Sequence, residues 1–492
     1  MDTTALKAFA QKARTDLMHQ VGAQLKVVLA LDSLARREQP QAILKLESEI
    51  EKKGKDVVID EVAYTWFNRF CALRFMDVNH YNKVGVVSPG INQIQPEILS
   101  NAKSGVFDSS VVNERRRTRV LDLLAGRVQS RDAQGEAYRI LLVSYCNALA
   151  KSMEFLFEKI ADYTELLLPS DLLAVNSVLA DCRTAMTEEA CEDVEVIGWL
   201  YQFYISERKD EVFAGFKKGK KAGSRDIPAA TQLFTPHWIV QYLLDNSLGR
   251  LWMLNNPRSR LIEKMEYCIK PEQEETDYLR ISKPEEIKVC DPACGSGHML
   301  TYAFDLLYEI YEEQGYDPTQ IPILILQNNL YGIEIDQRAG DLASFALVMK
   351  ARKKSRNFFV NHVRPNVMVL EKIDIDEGYF KEYTKHINID AFATDIKTNL
   401  QQFKDANLAG SLIIPKITAP DNYIEKLKEV QINNELFQAN IHDNIIKLFE
   451  QIAYLSQRYH VVVTNPPYIK VSVISENMRE FVQNYYSNSK IN

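Results

Sequence analysis

In the first 215 residues, apolar side chains recur at three- and four-residue spacing, and few glycine or proline residues interrupt them. This spacing places the apolar side chains on one face of a helix. The charged stretch Ala42–Lys55 also has a helical pattern. The sequence therefore predicts a large helical domain over residues 1–225. The clearest helical segments in it are Ala5–Leu31, Glu61–Met76, Tyr138–Lys151 and Val194–Ile205.

From about residue 228 the pattern changes to short apolar runs that alternate with amphipathic stretches. This alternation is typical of an α/β fold with a Rossmann-like, doubly wound parallel sheet, expected here over residues 226–492. The uninterrupted apolar run at Val461–Thr464 favours a strand in the middle of that sheet. A mostly polar, helical stretch at about residues 374–460 is expected to be an insertion at the sheet's edge. The other predicted elements are strands at Ile287–Cys290, Leu330–Ile335 and Asn366–Leu370 and helices at His298–Glu312 and Ala339–Ala351.

Composition narrows the class of protein without identifying it. The 492 residues are enough for two or three domains with buried cores. The seven cysteines include no Cys-x-x-Cys pair, so no metal site or disulfide framework is expected, and a reducing cytoplasmic compartment fits best. No signal peptide or membrane-spanning apolar run is present. The net charge of −7 does not exclude DNA binding, because lysines and arginines can lie on one face.

A basic, glycine-containing segment at Lys217–Arg225 separates the two parts of the chain. Charge runs of this kind are usually solvated loops, and we favour that interpretation. The alternative is a loop that contacts phosphate groups.

A glycine-rich turn follows the first predicted strand of the second part. Glycines allow positive φ and close approach of a ligand, and the helix that begins near His298 presents unpaired amides to it. The turn has no lysine and is not Gly-x-Gly-x-x-Gly, which excludes a P-loop and disfavours a dinucleotide site. Its carboxylate, Asp291, suits a ligand with an ammonium group. The turn comprises Asp291, Pro292, Ala293, Cys294, Gly295, Ser296 and Gly297.

Glu334 lies at the end of the next predicted strand, before Ile335. An acidic residue at this point of a doubly wound sheet typically accepts hydrogen bonds from ribose hydroxyls. S-adenosylmethionine carries both an ammonium group and a ribose, so the turn and Glu334 together predict that cofactor.

A second motif, Asn465-Pro466-Pro467-Tyr468, follows the last predicted strand. The Asn465 side-chain oxygen and the Pro466 carbonyl can each accept a hydrogen bond from an exocyclic amino group. They would draw electron density onto that nitrogen and aim its lone pair at a methyl group, and Tyr468 offers a face for a flipped base. The alternative is a plain turn that ends a strand.

Together with Gln232–Val240, these motifs resemble the amino-group DNA methyltransferases, specifically the adenine-N6 branch with the gamma-type motif order. The resemblance assigns the target adenine to Asn465, Pro466, Pro467 and Tyr468. Glu371 stands where that family often has an aspartate, so it is not assigned to the cofactor. The residues assigned to the cofactor are Phe234, Thr235, Pro236, Asp291, Pro292, Ala293, Cys294, Gly295, Ser296, Gly297, Glu334 and Ile335.

The helical part sharpens the resemblance. Segments Tyr64–Arg74 and Ile197–Tyr204 are similar to segments of the PglX methyltransferases of BREX bacteriophage-defence systems. The resemblance implies site-specific methylation of adenine in double-stranded DNA with a flipped base, and other BREX proteins as partners. Because the motif at Asn465 lies so near the end of the sequence, we expect an incomplete sheet and no target-recognition region, as in an N-terminal portion or truncated form.

Three alternatives remain open at this point. One is methylation of an RNA amino group or a protein amide nitrogen, which are also planar. Another is a combined nuclease and methyltransferase, for which Glu51-Lys52-Lys53 is formally available but lies in a predicted helix. The last is a fragment that binds cofactor or partner proteins without turnover.

Overall fold

We analysed a computed structural model of the chain. Its contacts divide the chain into two compact units, unit 1 formed by Met1–Glu207 with Ser355–Arg364 and unit 2 formed by Arg208–Lys354 with Pro365–Asn492. The division falls at Glu207 rather than near residue 225, and a short segment from the second half joins unit 1. The structure describes residues 3–158, 163–223, 226–231, 235–386, 390–417, 419–430, 436–469 and 473–486.

Unit 1 is helical throughout its described residues, apart from loops and turns. A short 3₁₀ helix lies at Glu189–Cys191. The α-helices are α1 (Thr4–Leu29), α2 (Leu34–Glu38), α3 (Pro40–Lys53), α4 (Lys55–Val78), α5 (Glu97–Lys103), α6 (Glu114–Leu124), α7 (Ala133–Leu149), α8 (Tyr163–Leu166), α9 (Val178–Ala185) and α10 (Glu195–Tyr204). The segment Ser355–Arg364 adds a 3₁₀ helix at Phe358–Asn361.

Aromatic side chains fill the core of unit 1. The ring of Phe67 on α4 lies 5.8 Å from Phe9 on α1 and 4.5 Å from Tyr204 on α10, measured between centroids. The indole of Trp66 is fully buried and donates to the carbonyl of Thr164 at 3.0 Å. The aromatic segments in α4 and α10 that resemble PglX are thus packed against each other in the core, which is where their helical apolar pattern places them.

The position of Glu51-Lys52-Lys53 in helix α3 bears on the nuclease alternative. Glu51, Lys52 and Lys53 form the last turn of α3. The metal-dependent nuclease would need these residue types on paired strands. The described structure therefore offers no support for a nuclease at this position.

Unit 2 combines a small sheet with many helices. Its strands are β1 (Val289–Asp291), β2 (Leu330–Glu334), β3 (Asn366–Val369) and β4 (Val461–Val462). Its α-helices are α11 (Ser206–Lys217, which begins in unit 1), α12 (Asp226–Thr231), α13 (His237–Leu244), α14 (Arg250–Asn255), α15 (His298–Glu313), α16 (Ile321–Leu324), α17 (Gln337–Lys354), α18 (Glu377–His386), α19 (Asp390–Phe403), α20 (Ala406–Ala409), α21 (Pro420–Lys428), α22 (Leu436–Ser456) and α23 (Glu476–Tyr485). Short π-helical segments at Asp245–Gly249 and Ile325–Asn329 and 3₁₀ helices at Leu261–Lys264, Pro284–Glu286 and Gly410–Leu412 complete the set.

The four strands form one parallel sheet in the order β3-β2-β1-β4. Val289 pairs with Leu330 on one side and with Val461 on the other, so the carboxyl ends of β1, β2 and β4 lie along one edge. Among the described residues β4 is an edge strand, and Val462 is 61% exposed. The expectation that this strand lies in the middle of the sheet was therefore wrong for the structure described here.

Helices cover both faces of the sheet. Side chains of neighbouring strand residues point to opposite faces. A Cβ atom at Gly332 would lie 3.0 Å from Leu300 of α15, whereas the adjacent Ile333 belongs to a separate apolar cluster. That cluster also contains Cys290 of β1 and residues of the helices between β3 and β4, among them Ile445, Leu448, Phe449 and Ile452 of α22.

The expected insertion at about residues 374–460 is helical, but its placement at the sheet's edge was wrong. Its apolar side chains pack in one cluster with Ile333 of the central strand β2, so this segment covers a face. The polar composition misled the prediction because each helix carries only a narrow apolar stripe. No helix in the described part of the chain is both long and apolar enough to cross a membrane.

Candidate active site

The glycine-rich turn leads from β1 into α15. The amide of Cys294 donates to the carbonyl of Ile333 on β2 at 3.0 Å, and the amide of Gly297 donates back to the carbonyl of Cys294 at 2.8 Å. Gly297, at φ +86°, directly precedes the first residue of α15. These bonds bring the N-terminus of a 16-residue helix to the carboxyl edge of the sheet, where its first amides form the positive end of the helix dipole.

The two glycines of the turn have different surroundings. A Cβ at Gly297 would lie 3.0 Å from both Cα and Cβ of Ala343 on α17, so glycine permits close packing of the two helices. A Cβ at Gly295, which has φ +53°, would meet nothing within 4 Å. The space beside Gly295 is therefore open to a ligand, whereas Gly297 serves the packing.

Glu334 ties the turn to the end of β2. Its Oε2 accepts a hydrogen bond from the amide of Gly295 at 2.8 Å, and its Oε1 accepts from the amides of Ile335 and Asp336 at 2.9 and 3.0 Å. Burial raises the pKa of Glu334, and the charge of Asp336 adds to this, while the three amides oppose it. The carboxylate is thus held in one orientation at the rim of the turn.

Asp291 ends β1 with a carboxyl group that is almost fully buried. Its Oδ1 accepts from the amide of Ala293 at 3.1 Å. Burial raises the pKa of Asp291 to about 7, the hydroxyl of Thr464 and the Ala293 amide lower it, and the nearby charge of Glu334 raises it. The group can therefore exist in either protonation state near neutral pH.

The second motif lies at the end of β4, beside the end of β1. The amide of Val463 donates to the carbonyl of Cys290 at 3.0 Å, which extends the pairing of the two strands towards Asn465. The Nδ2 of Asn465 donates to Oγ1 of Thr235 at 3.1 Å. Tyr468 presents 73% of its surface to solvent. The structure thus brings Thr235 to Asn465 and, separately, Gly295 to Glu334.

The remaining predicted site residues are placed as follows. Pro236 is exposed at the start of α13, and Phe234 lies outside the described residues. Cys294 is buried, and burial raises the pKa of its thiol well above the ordinary value. Pro466 and Pro467 are exposed, and a further group is partly exposed, namely Pro292, Ala293, Ser296 and Ile335.

Two polar groups near the site were missed by the sequence analysis. Thr464 directly precedes Asn465, and its hydroxyl lowers the pKa of Asp291. Asp245 is fully buried and accepts hydrogen bonds from the hydroxyl of Tyr302 on α15 at 2.8 Å and from the amide of Tyr267 at 3.0 Å. A carboxylate within an otherwise apolar helical face was the available signal for Asp245.

The structure shows the contacts of two features whose roles the sequence left open, Glu371 and the basic segment Lys217–Arg225. Glu371 is half exposed and pairs with Lys447 at 3.0 Å. In the basic segment, Lys220 pairs with Asp226 at 3.3 Å, and the buried Ala222 donates its amide to the carbonyl of Val473 at 2.7 Å. This segment is therefore partly anchored, and Ser224 and Arg225 lie outside the described residues.

Comparison with known proteins matches the second unit to two methyltransferase families. The family described as Eco57I restriction-modification methylase matches residues 328–492, and the MmeI DNA-methyltransferase domain matches residues 272–379. Together these matches include the glycine-rich turn, Glu334 and Asn465.

Curated relatives extend the match to the helical unit. The chain is 39% identical to the adenine-specific methyltransferase BrxX of Escherichia coli O9:H4 (strain HS), over 94% of this chain and 39% of that protein. It is 33% identical to the adenine-specific methyltransferase PglX of Lacticaseibacillus casei (strain Zhang), over 100% of this chain and 44% of that protein. A PglX of Streptomyces coelicolor is 29% identical over 39% of this chain and 13% of its own length. The chain spans about two fifths of the length of the first two relatives.

Proposed function

We propose that this chain, homologous over nearly its whole length to the BrxX and PglX adenine-specific methyltransferases, carries the cofactor site and amine-binding motif of an S-adenosylmethionine-dependent DNA adenine-N6 methyltransferase. One observation supports this most strongly. The glycine-rich turn and the Asn-Pro-Pro-Tyr motif lie at the carboxyl ends of adjacent parallel strands, where a methyl donor and an acceptor amine could meet. Rossmann-like doubly wound architecture is part of the same proposal.

The turn has the features that the ribose of S-adenosylmethionine requires. A carboxylate can accept about four hydrogen bonds in all. Glu334 receives two on Oε1 and one on Oε2, so Oε2 has room for a ribose hydroxyl beside the open space at Gly295. Bound there, S-adenosylmethionine supplies the methyl group.

Asp291 suits the methionine end of the cofactor. Its buried carboxyl has a pKa of about 7, so approach of an ammonium group would shift it to the charged form. The resulting buried ion pair would have a hydrogen bond from the Ala293 amide already in place. Asp291 would therefore bind and orient the ligand.

Asn465 would hold the acceptor amine. Its Nδ2 donates to Oγ1 of Thr235, and in this orientation Oδ1 remains to accept from an adenine amino group. With the Pro466 carbonyl accepting the second amino hydrogen, the nitrogen lone pair is freed from conjugation with the ring and points away from both acceptors. The amino hydrogens stay on the side of Asn465 and Pro466, and the proton that the nitrogen loses on methylation would pass from that side to solvent. Thr235 would thus position Asn465 in addition to lining the cofactor site.

Tyr468 would stack on the adenine after it leaves the duplex. The side chain is 73% exposed beside Asn465, and an exposed aromatic face suits a flipped base. The rigid Pro466-Pro467 backbone keeps this ring near the amide. We further propose that the reaction takes place in the cytoplasm as part of a BREX-type defence system, with other BREX proteins as partners.

Transfer of a labelled methyl group tests the proposal. The chain, or the full-length product where its gene encodes further residues, is incubated with tritiated S-adenosylmethionine and duplex DNA, RNA or protein from the same cells. We expect label in DNA only. Label in RNA or in protein amides, with none in DNA, would overturn the choice of substrate.

A binding measurement separates loss of turnover from loss of the site. Calorimetry with S-adenosylmethionine on the same sample should give one site per chain. Binding without methyl transfer to any substrate would indicate a cofactor-binding fragment, and absence of binding by a folded chain would contradict the assignment of the turn.

A further inference from the structure

Unit 1 contains a cavity of about 500 Å³ that the proposed methyl transfer does not use. It lies among the helical elements and is open on one side. Its volume falls within the range of about 300–1,000 Å³ that is typical of ligand pockets. The lining residues that matter here are Arg74, Arg183, Ile94 and Val175, and the others are aliphatic, proline or neutral polar.

Both arginines are fixed in place by their neighbours. The Nε of Arg74 donates to the carbonyl of Met186 at 3.0 Å, and its Nη1 donates to Oγ of Ser88 at 2.8 Å. The Nη1 of Arg183 donates to the carbonyl of Val87 at 3.2 Å. Each guanidinium has further N–H groups beyond these bonds. The two side chains are therefore already ordered, which lowers the entropic cost of binding a ligand.

The cavity holds two positive charges and no negative one. No carboxylate is among its lining residues, and within the described residues neither arginine forms an ion pair. Burial lowers the pKa of Arg183, and the charge of Arg74 lowers it further. Two partly buried like charges are unfavourable without a counter-charge, so an anionic group in the cavity would be stabilised.

The mouth of the cavity narrows the choice of anion. Ile94 is 90% exposed and Val175 is 96% exposed, so aliphatic side chains flank the arginines. No aromatic residue is present among the lining residues for a base to stack on, and no lysine is present there to follow a nucleic-acid backbone. Arginine is instead enriched at protein interfaces, and its planar donors match a carboxylate in a bidentate geometry.

We propose that this cavity binds an acidic side chain, flanked by aliphatic residues, of a protein partner. The guanidinium groups of Arg74 and Arg183 bind the carboxylate. Ile94 and Val175 cover the neighbouring aliphatic groups of the partner. The site is independent of the proposed methyl transfer, because all its residues lie in unit 1.

Selection from random peptides displayed on phage tests this site and does not require the partner to be identified first. Peptides are selected on the immobilised chain and then measured individually by fluorescence anisotropy. We expect enrichment of Asp or Glu beside Leu, Ile or Val. For those peptides, Val175→Asp should weaken binding by at least about tenfold, because it places a negative charge and removes apolar surface at the mouth.

The controls distinguish binding at this site from non-specific binding and from an effect of unfolding. Leu31→Asp changes an equally exposed aliphatic residue of unit 1 outside the cavity and should leave binding unchanged. Arg183→Gln should abolish binding, and Val175→Asp keeps the test valid if Arg183→Gln fails to fold. The proposal is overturned if no acidic preference emerges, if Val175→Asp binds as tightly as the original chain, or if inorganic phosphate binds the cavity while acidic peptides do not.

Discussion

Thr235 and Asn465 are 230 positions apart in the chain, yet Nδ2 of Asn465 donates a hydrogen bond to Oγ1 of Thr235 at 3.1 Å. Thr235 is buried and Asn465 is partly exposed, so the bond links the interior to the open side of the site. In this orientation of the amide, Nδ2 faces Thr235 and Oδ1 remains available to another donor. The bond therefore joins the segment assigned to the cofactor to the residue assigned to the target amine.

Removing the Thr235 hydroxyl should impair turnover. Thr235→Val keeps the shape of the side chain but cannot accept the bond, so the Asn465 amide is no longer oriented. We expect kcat to fall about tenfold, which corresponds to the loss of one hydrogen bond. Thr235→Ser retains the hydroxyl and should stay within about threefold of the original by the same argument. An unchanged kcat for Thr235→Val in a methylation assay would show that Thr235 does not position Asn465.

Glu334 should control affinity for the methyl donor. In Glu334→Ala three backbone amides and the ribose lose their acceptor, and we expect the Kd for S-adenosylmethionine to rise at least about tenfold. Glu334→Gln keeps one acceptor oxygen and should be affected less. Calorimetry gives Kd, and thermal unfolding of the same samples reports any loss of structure. Equal Kd values for Glu334→Ala and the original protein would remove Glu334 from the site.

The two glycines of the turn should respond differently to alanine. At Gly297 a Cβ would meet Ala343 at 3.0 Å and φ is +86°, so Gly297→Ala should lower the free energy of unfolding by about 1–3 kcal/mol. At Gly295 φ is +53° but the space is open, so Gly295→Ala should cost less stability and chiefly weaken cofactor binding. Chemical denaturation and calorimetry on both variants check this. A larger stability loss at Gly295 than at Gly297 would contradict the assignment.

Asp291 should make stability depend on pH. Its pKa is raised from the ordinary 3.8 to about 7, so folding favours the protonated carboxyl. The raised pKa therefore contributes to the free energy of unfolding in full below pH 3.8, where the carboxyl is protonated in both states. This contribution is lost as pH rises from there to about 7. Asp291→Asn stays neutral and should remove this decline. Denaturant unfolding at pH 5, 6, 7 and 8 would measure the difference between the two proteins.

The same carboxyl should make cofactor affinity depend on pH in the opposite sense. An ammonium ligand favours ionised Asp291, so binding at pH 6 should release a proton and tighten as pH rises towards 7. Asp291→Asn, measured in parallel, controls for titration of the ligand's own amino group. If calorimetry in buffers of different ionisation enthalpy gives the same proton release for both proteins, Asp291 does not face the ammonium group.

The elements around the turn could be predicted from the sequence because their signals are local. The predicted helix at His298–Glu312 corresponds to α15 at His298–Glu313. The predicted strand at Leu330–Ile335 corresponds to β2 at Leu330–Glu334. Apolar periodicity and the glycine-rich turn determine these elements without reference to distant residues. The resemblance to adenine-specific methyltransferases was likewise confirmed by the relatives.

The placement of elements could not be predicted in the same way. Val461 and Val463 are buried, but the apolar run does not indicate that Val462 between them is 61% exposed on an edge strand. Nor does it report that α22 packs against a face of the sheet. The contact between Thr235 and Asn465 depends on how the whole of unit 2 folds, and no local pattern encodes it. The assignments of residues to the cofactor and to the adenine stay predictions, which the binding and methylation measurements proposed above test.

Identification of the methylated nucleoside tests the central claim most directly. DNA incubated with the protein and S-adenosylmethionine is digested to nucleosides and analysed by mass spectrometry, beside Asn465→Ala. The account predicts N6-methyladenine with the original protein and none with Asn465→Ala, whose affinity for S-adenosylmethionine should stay within about tenfold. N6-methyladenine formed equally by Asn465→Ala, or methylation only at another atom, would contradict it.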